Sequence, residues 1–153
     1  MKRFIASGFG VGIIWNSIFG DQKGGGTLAP LLFTLIIYFL QLNVLELSIL
    51  FIVLVLIYIF AVDDQDADDD PSWITLDEIV GMSLVSIASP SKLLPLIAGF
   101  IVFRLSDILK QPKFVKDLEN YPGKFGVLYD DLGAGLMGLL SATIVNQFIN
   151  LTL

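Results

Sequence analysis

The chain has 153 residues, 55% of them hydrophobic and 16% charged, against roughly 45–50% and about 25% in soluble domains, and its mean hydropathy is +0.80; this balance predicts one integral membrane domain spanning 1–153. The formal charge is −6, with no broad basic footprint, so nucleic acid is not an expected partner. The absence of Cys and His excludes disulfides, thiol nucleophiles, histidine bases and the usual zinc ligands, leaving carboxylates, Lys, Arg, Ser/Thr or a hard metal ion for any catalysis.

Residues 1–27 are Gly-rich and read as an irregular or re-entrant segment. The basic start Met1-Lys2-Arg3 leads into glycines rather than an apolar core, so no cleavable signal peptide is expected. Residues 28–62 form two apolar runs, 28–42 and 45–62, interrupted by Gln41, Asn43 and Glu46. A spanning helix needs about 20 apolar residues, so this segment predicts a helical hairpin turning near 41–46. Residues 63–73 form an acidic loop, and 8 of the 15 acidic residues lie between Asp63 and Glu78. The run from Asp63 to Asp69 reads as solvated loop. It is not an EF-hand, because the turn glycine and distal Glu are missing. Within 74–153, helices are expected over 74–88, 93–109 and 131–149, with breaks at 89–92 and in a basic loop over 110–129. Gly133, Gly135 and Gly138 suit close helix packing in lipid. The fold class is therefore all-α: a small membrane bundle of about four or five long helices.

Basic residues set orientation. Lys2, Arg3 and Lys23 precede the hairpin, and Lys110, Lys113, Lys116 and Lys124 fill the 110–129 loop. Starting the chain in the cytoplasm brings three polar clusters to the cytoplasmic face of the inner membrane: Asp70, Asp77 and Glu78; Arg104, Asp107 and Lys110; and Asp130 and Asp131.

Each cluster has a purely structural explanation. Thr75-Leu76-Asp77-Glu78 fits a capping box. Asp130 or Asp131 could cap the last helix. Arg104, Asp107 and Lys110, three residues apart, could be an ion-pair stripe. Their coincidence at one face favours a shared site. Carboxylates without His or Cys suit a hard cation such as Mg²⁺. Arg and Lys beside them suit phosphate. Together this is the equipment of phosphoryl transfer.

The motifs resemble those of the phosphatidylglycerophosphatase A family of bacterial membrane lipid phosphatases over most of the chain. They stand here as Asp70-Pro71 followed by 74–81 (ITLDEIVG), Ala98-Gly99-Phe100, Phe103-Arg104-x-x-Asp107-x-x-Lys110, and Gly123-x-x-Gly126-Val127-x-x-Asp130-Asp131-x-x-Ala134-Gly135. The family's Gly-Thr-x-Gly-Ser stretch stands here as Lys23-Gly24-Gly25-Gly26-Thr27, and its Lys-Pro-x-Pro as Lys110-Gln111-Pro112-Lys113. The resemblance implies Mg²⁺-dependent hydrolysis of phosphatidylglycerophosphate to phosphatidylglycerol and phosphate. On that reading Asp70, Asp77, Glu78, Asp130 and Asp131 hold metal. Asp77, Glu78, Asp107 and Asp131 are catalytic. Arg104, Lys110 and Thr27 contact phosphate, and Lys113, Lys116 and Lys124 attract anionic headgroups. Alternatives are a phosphatase of another lipid phosphate, such as a polyprenyl phosphate, or a non-catalytic membrane protein.

Overall fold

The computed structural model describes residues 1–20, 24–67, 71–88 and 92–152, and among these every regular element is a helix. The order is α1 (Lys2–Ala6), α2 (Val11–Phe19), α3 (Gly25–Leu40), α4 (Val44–Ala61), α5 (Asp64–Ala67), α6 (Leu76–Ser86), α7 (Leu93–Leu109), α8 (Lys113–Glu119) and α9 (Lys124–Thr152). The all-α expectation holds.

The short helix α6 is the hub. It packs against α3, α4, α7 and α9, and nine of its 11 residues are buried. A helix covered on every side needs no polar face. Its own glycine lets α9 come close: a methyl group on Gly135 would stand 2.8 Å from the Gly81 carbonyl oxygen. Likewise a methyl on Gly138 would stand 2.7 Å from the Gly99 carbonyl oxygen of α7. Small residues at such crossings replace side-chain contact by backbone contact, the way helices associate in lipid.

The outer helices face away from this hub. Val44–Ala61 and Lys124–Thr152 are long and apolar enough to cross a membrane. Only 22% and 28% of their apolar windows are buried, unlike the core helix of a soluble protein. Leu45, Ile49, Ile52, Leu56 and Phe60 lie exposed along α4, and Leu136, Leu140, Ile144 and Phe148 along α9. Continuous apolar surface of this extent calls for a lipid-like surround.

The two apolar runs of 28–62 form the separate helices α3 and α4, each packed on α6, and the interruption at 41–46 has a specific cause. The Asn43 side chain accepts from Leu45 N (2.9 Å) and Glu46 N (3.1 Å), and Glu46 accepts from Asn43 N at 2.8 Å. This is a complete capping box that starts α4. Asn43→Ala should cost about 1 kcal/mol, read as a lower denaturant midpoint.

Five expectations need correction. The acidic run is not all loop, since Asp64–Ala67 form the short helix α5 with Ala67 buried. The N-terminus is helical, α1 and α2 being joined through Gly8-Phe9-Gly10, all at positive φ. The third predicted helix is shorter, 76–86 rather than 74–88. The 110–129 loop contains α8 and the start of α9. Finally, Thr75 stands at the N-cap of α6 but its side chain makes no capping hydrogen bond, so the predicted capping box is absent. The Thr75 amide donates to the Ala6 carbonyl instead (3.1 Å), tying α1 to the start of α6.

Candidate active site

Three helix ends converge on one cavity of about 500 Å³. α6 brings Asp77 and Glu78 in its first turn. α7 brings Arg104 and Asp107 in its last turns, followed by Lys110 as its C-cap. α9 brings Asp130 and Asp131. All seven line the cavity, so the three clusters of the sequence share one pocket. Asp70 lies outside the described residues.

The structural explanations account for only part of this. Because α9 begins at Lys124, Asp130 and Asp131 sit in its second turn and cap nothing. They are nonetheless 5% and 4% exposed, a costly place for two adjacent carboxylates. The ion-pair stripe on α7 is real: Arg104 Nη1 lies 2.7 Å from Asp107 Oδ2, and Lys110 Nζ lies 3.2 Å from Asp107 Oδ1. It reaches beyond its own helix, however. Arg104 Nη1 stands 3.9 Å from Glu78 Oε1, and Lys110 pairs with Asp130. Burial works against the Lys110 charge, but the hydrogen bond to Asp130 and the field of Asp107 outweigh it and hold its pKa above the ordinary lysine value.

Thr27 stands beside the cavity, behind Arg104. Its hydroxyl accepts from Arg104 Nη2 at 3.3 Å, so in this arrangement it orients the guanidinium. Its neighbour Gly26 does line the cavity, and a methyl group there would fall on Glu78 Oε1. Lys124 is committed elsewhere: its ammonium donates to the carbonyls of Ile59 (2.8 Å) and Val62 (3.1 Å) at the end of α4, a favourable place for a cation. Lys113 and Lys116 are exposed on α8. Asp63, in the acidic run, pairs with Lys2 at 2.8 Å, and Asp64 accepts from the Lys124 amide at 3.2 Å. Sequence reasoning did not anticipate Ser72, Glu119 and Tyr121 in the cavity wall. Nothing in their local pattern marks them: Ser72 enters with the approach to α6, and Glu119 and Tyr121 with the end of α8 and the turn before α9.

The donor chemistry suits a hard divalent cation. Glu78 Oε2, Asp130 Oδ1 and Asp131 Oδ1 are buried without a hydrogen-bond partner among the described residues, and oxygen-only sets of this kind favour Mg²⁺ over softer metals. No three carboxylates among the described residues are already drawn together round one point as metal ligands.

The phosphatidylglycerophosphatase A family profile matches residues 4–146. A Bacteroides thetaiotaomicron protein, provisionally given as a phosphatidylinositol-3-phosphatase, is 29% identical over 152 residues, covering 95% of this chain and 93% of that one. No solved structure matches the chain. The profile spans nearly the whole bundle and all seven residues that meet in the cavity, and the chain belongs to the phosphatidylglycerophosphatase A family of phosphatases.

Proposed function

We propose that the protein is a multi-pass inner-membrane enzyme that removes the terminal phosphate of phosphatidylglycerophosphate in a Mg²⁺-dependent reaction. It would act in phospholipid biosynthesis, with its site facing the cytoplasm. The observation that carries this reading is the meeting of Asp77, Glu78, Asp107, Asp130, Asp131, Arg104 and Lys110 in one cavity at the ends of three helices, within a fold whose outer surface suits lipid. The lipid tails stay in the leaflet and the headgroup enters between the helix ends.

Asp77, Glu78, Asp130 and Asp131 are the residues that would hold the cation, with Asp70 and Asp107 as further candidates. A bound divalent ion supplies charge neutralisation of the carboxylates and polarisation of the phosphate. Arg104 binds phosphate oxygens through its fork of N–H donors, steadied by Asp107 and Thr27. Water adds to phosphorus, the bond from phosphorus to the glycerol oxygen breaks, and that oxygen takes a proton. A pocket carboxylate receives the proton given up by the water.

A second substrate reading comes from the Bacteroides relative: another lipid phosphate, such as a phosphoinositide. Phosphate release from phosphatidylglycerophosphate, phosphatidylinositol 3-phosphate, phosphatidate and a polyprenyl phosphate, with Mg²⁺ or with EDTA, decides between them. The expected result is fastest release from phosphatidylglycerophosphate and none with EDTA. Full activity in EDTA would remove the metal from the reading, and a faster rate on another lipid would replace the substrate.

A further inference from the structure

Arg104 and Lys110 are the cations available for phosphate, yet both are engaged with carboxylates. Arg104 is held by Asp107 at 2.7 Å. Lys110 bridges two helices, with Asp107 of α7 on one side at 3.2 Å and Asp130 of α9 on the other. Its ammonium therefore stands between two carboxylates, in the kind of position a bound cation would take. The cavity as a whole is hostile to an anion. Six carboxylates, Glu119 included, face two cations, a formal excess of four negative charges that repels a phosphate dianion. Close by, Glu78 Oε2, Asp130 Oδ1 and Asp131 Oδ1 remain buried without hydrogen-bond partners, so acceptor capacity is left over even with Lys110 in place.

We propose that Lys110 is an internal counter-ion occupying a cation position between Asp107 and Asp130, and that an arriving divalent cation displaces it and turns it toward phosphate. This rests on the reading of the cavity as a divalent-cation-dependent phosphatase site. The side chain has a flexible four-carbon stem and a compact charge, so the swing needs no movement of α7. Lys110 thus has two alternative partners, carboxylate and phosphate, and the cation decides between them. Cation and phosphate must then bind with positive coupling, because each favours the same Lys110 position. Phosphate therefore binds more tightly to a pocket that already holds the cation, and the cation more tightly to one that holds phosphate.

Mn²⁺ titration of the full chain in nanodiscs, followed by electron paramagnetic resonance, tests this without turnover. Lys110→Met and Lys110→Gln remove the competing charge, and Lys110→Arg keeps it. The two neutral variants should bind Mn²⁺ about tenfold more tightly than wild type, the size of effect one neighbouring charge has on a carboxylate, and Lys110→Arg should not. In wild type, saturating Mn²⁺ should also tighten orthophosphate binding, and the neutral variants should lose that gain. A further measurement needs no variant: acetylation footprinting of wild type by mass spectrometry should label Lys110 faster when Mn²⁺ is added. Wild-type or weaker Mn²⁺ affinity in the neutral variants, or unchanged labelling of Lys110, overturns the displacement while leaving the cation site standing. Failure of wild type to bind Mn²⁺ overturns the cation site as well.

Discussion

Phosphate release should fall by at least about a hundredfold when Asp131 is changed to Asn, with the chain still inserted and folded. Asp131 is 4% exposed in the second turn of α9, and its Oδ1 has no hydrogen-bond partner among the described residues. Asn keeps the shape and removes the charge that a hard cation needs. Asp77→Asn and Glu78→Gln should behave alike. These carboxylates crowd one another, so neutralising one relieves repulsion and the unfolding midpoint should stay level or rise. That pairing of lost turnover with retained stability separates a catalytic role from a capping one, for which stability would drop and turnover would hold. Wild-type-like turnover in two of the three variants would sink the assignment of these carboxylates to the metal.

The second large effect is expected at a residue with no chemistry of its own. Gly26→Ala places a methyl group on the Glu78 carboxylate, whereas at Gly25 the nearest atoms, the Ser72 carbonyl oxygen and the Trp15 side chain, stand 3.4 Å away. Both glycines lie in the first turn of α3, where Ala is the better helix former by about 1 kcal/mol. Gly25→Ala should therefore be close to neutral. Gly26→Ala should push Glu78 out of place and reduce kcat by at least about tenfold with little change in unfolding midpoint. Equal rates for the two variants would mean that the position of Glu78 does not matter.

The sequence was most legible where apolar length decides structure. The α7 boundaries match the 93–109 expectation, and α3 and α4 break where two apolar runs flank Asn43 and Glu46. The convergence of 77–78, 104–110 and 130–131 in one cavity also followed from tracing the apolar runs, which brings the three charge clusters to one face. What failed was decided by tertiary contact. Glycine disfavours helix by about 1 kcal/mol, so 1–27 looked irregular. Its glycines instead admit neighbours: Gly12 lies against the Trp73 carbonyl, and Gly24 against the Trp15 ring. Asp130-Asp131 resembled a helix start, but α9 begins six residues before Asp130, immediately after the Pro122-Gly123 turn. Thr75 had the sequence of a cap, yet Gly8 and Gly12 of the N-terminal segment lie against its side chain, and its hydroxyl stays buried without a hydrogen bond. Lys124 looked like a surface charge because the α4 carbonyls it reaches are more than 60 residues away in the chain.

The central placement of α6 bears on how the protein is made. Its 11 residues rise only about 16 Å, and its first turn carries two carboxylates, so it depends on its neighbours for burial. Its cover is synthesised in two instalments, α3 and α4 before it, α7 and α9 after it. The cavity has no third wall until α9, the last helix, docks. A chain that ends before α9 would therefore lack both Asp130 and Asp131 and the largest share of the cover on α6, so the pocket is completed only by the last helix to be made.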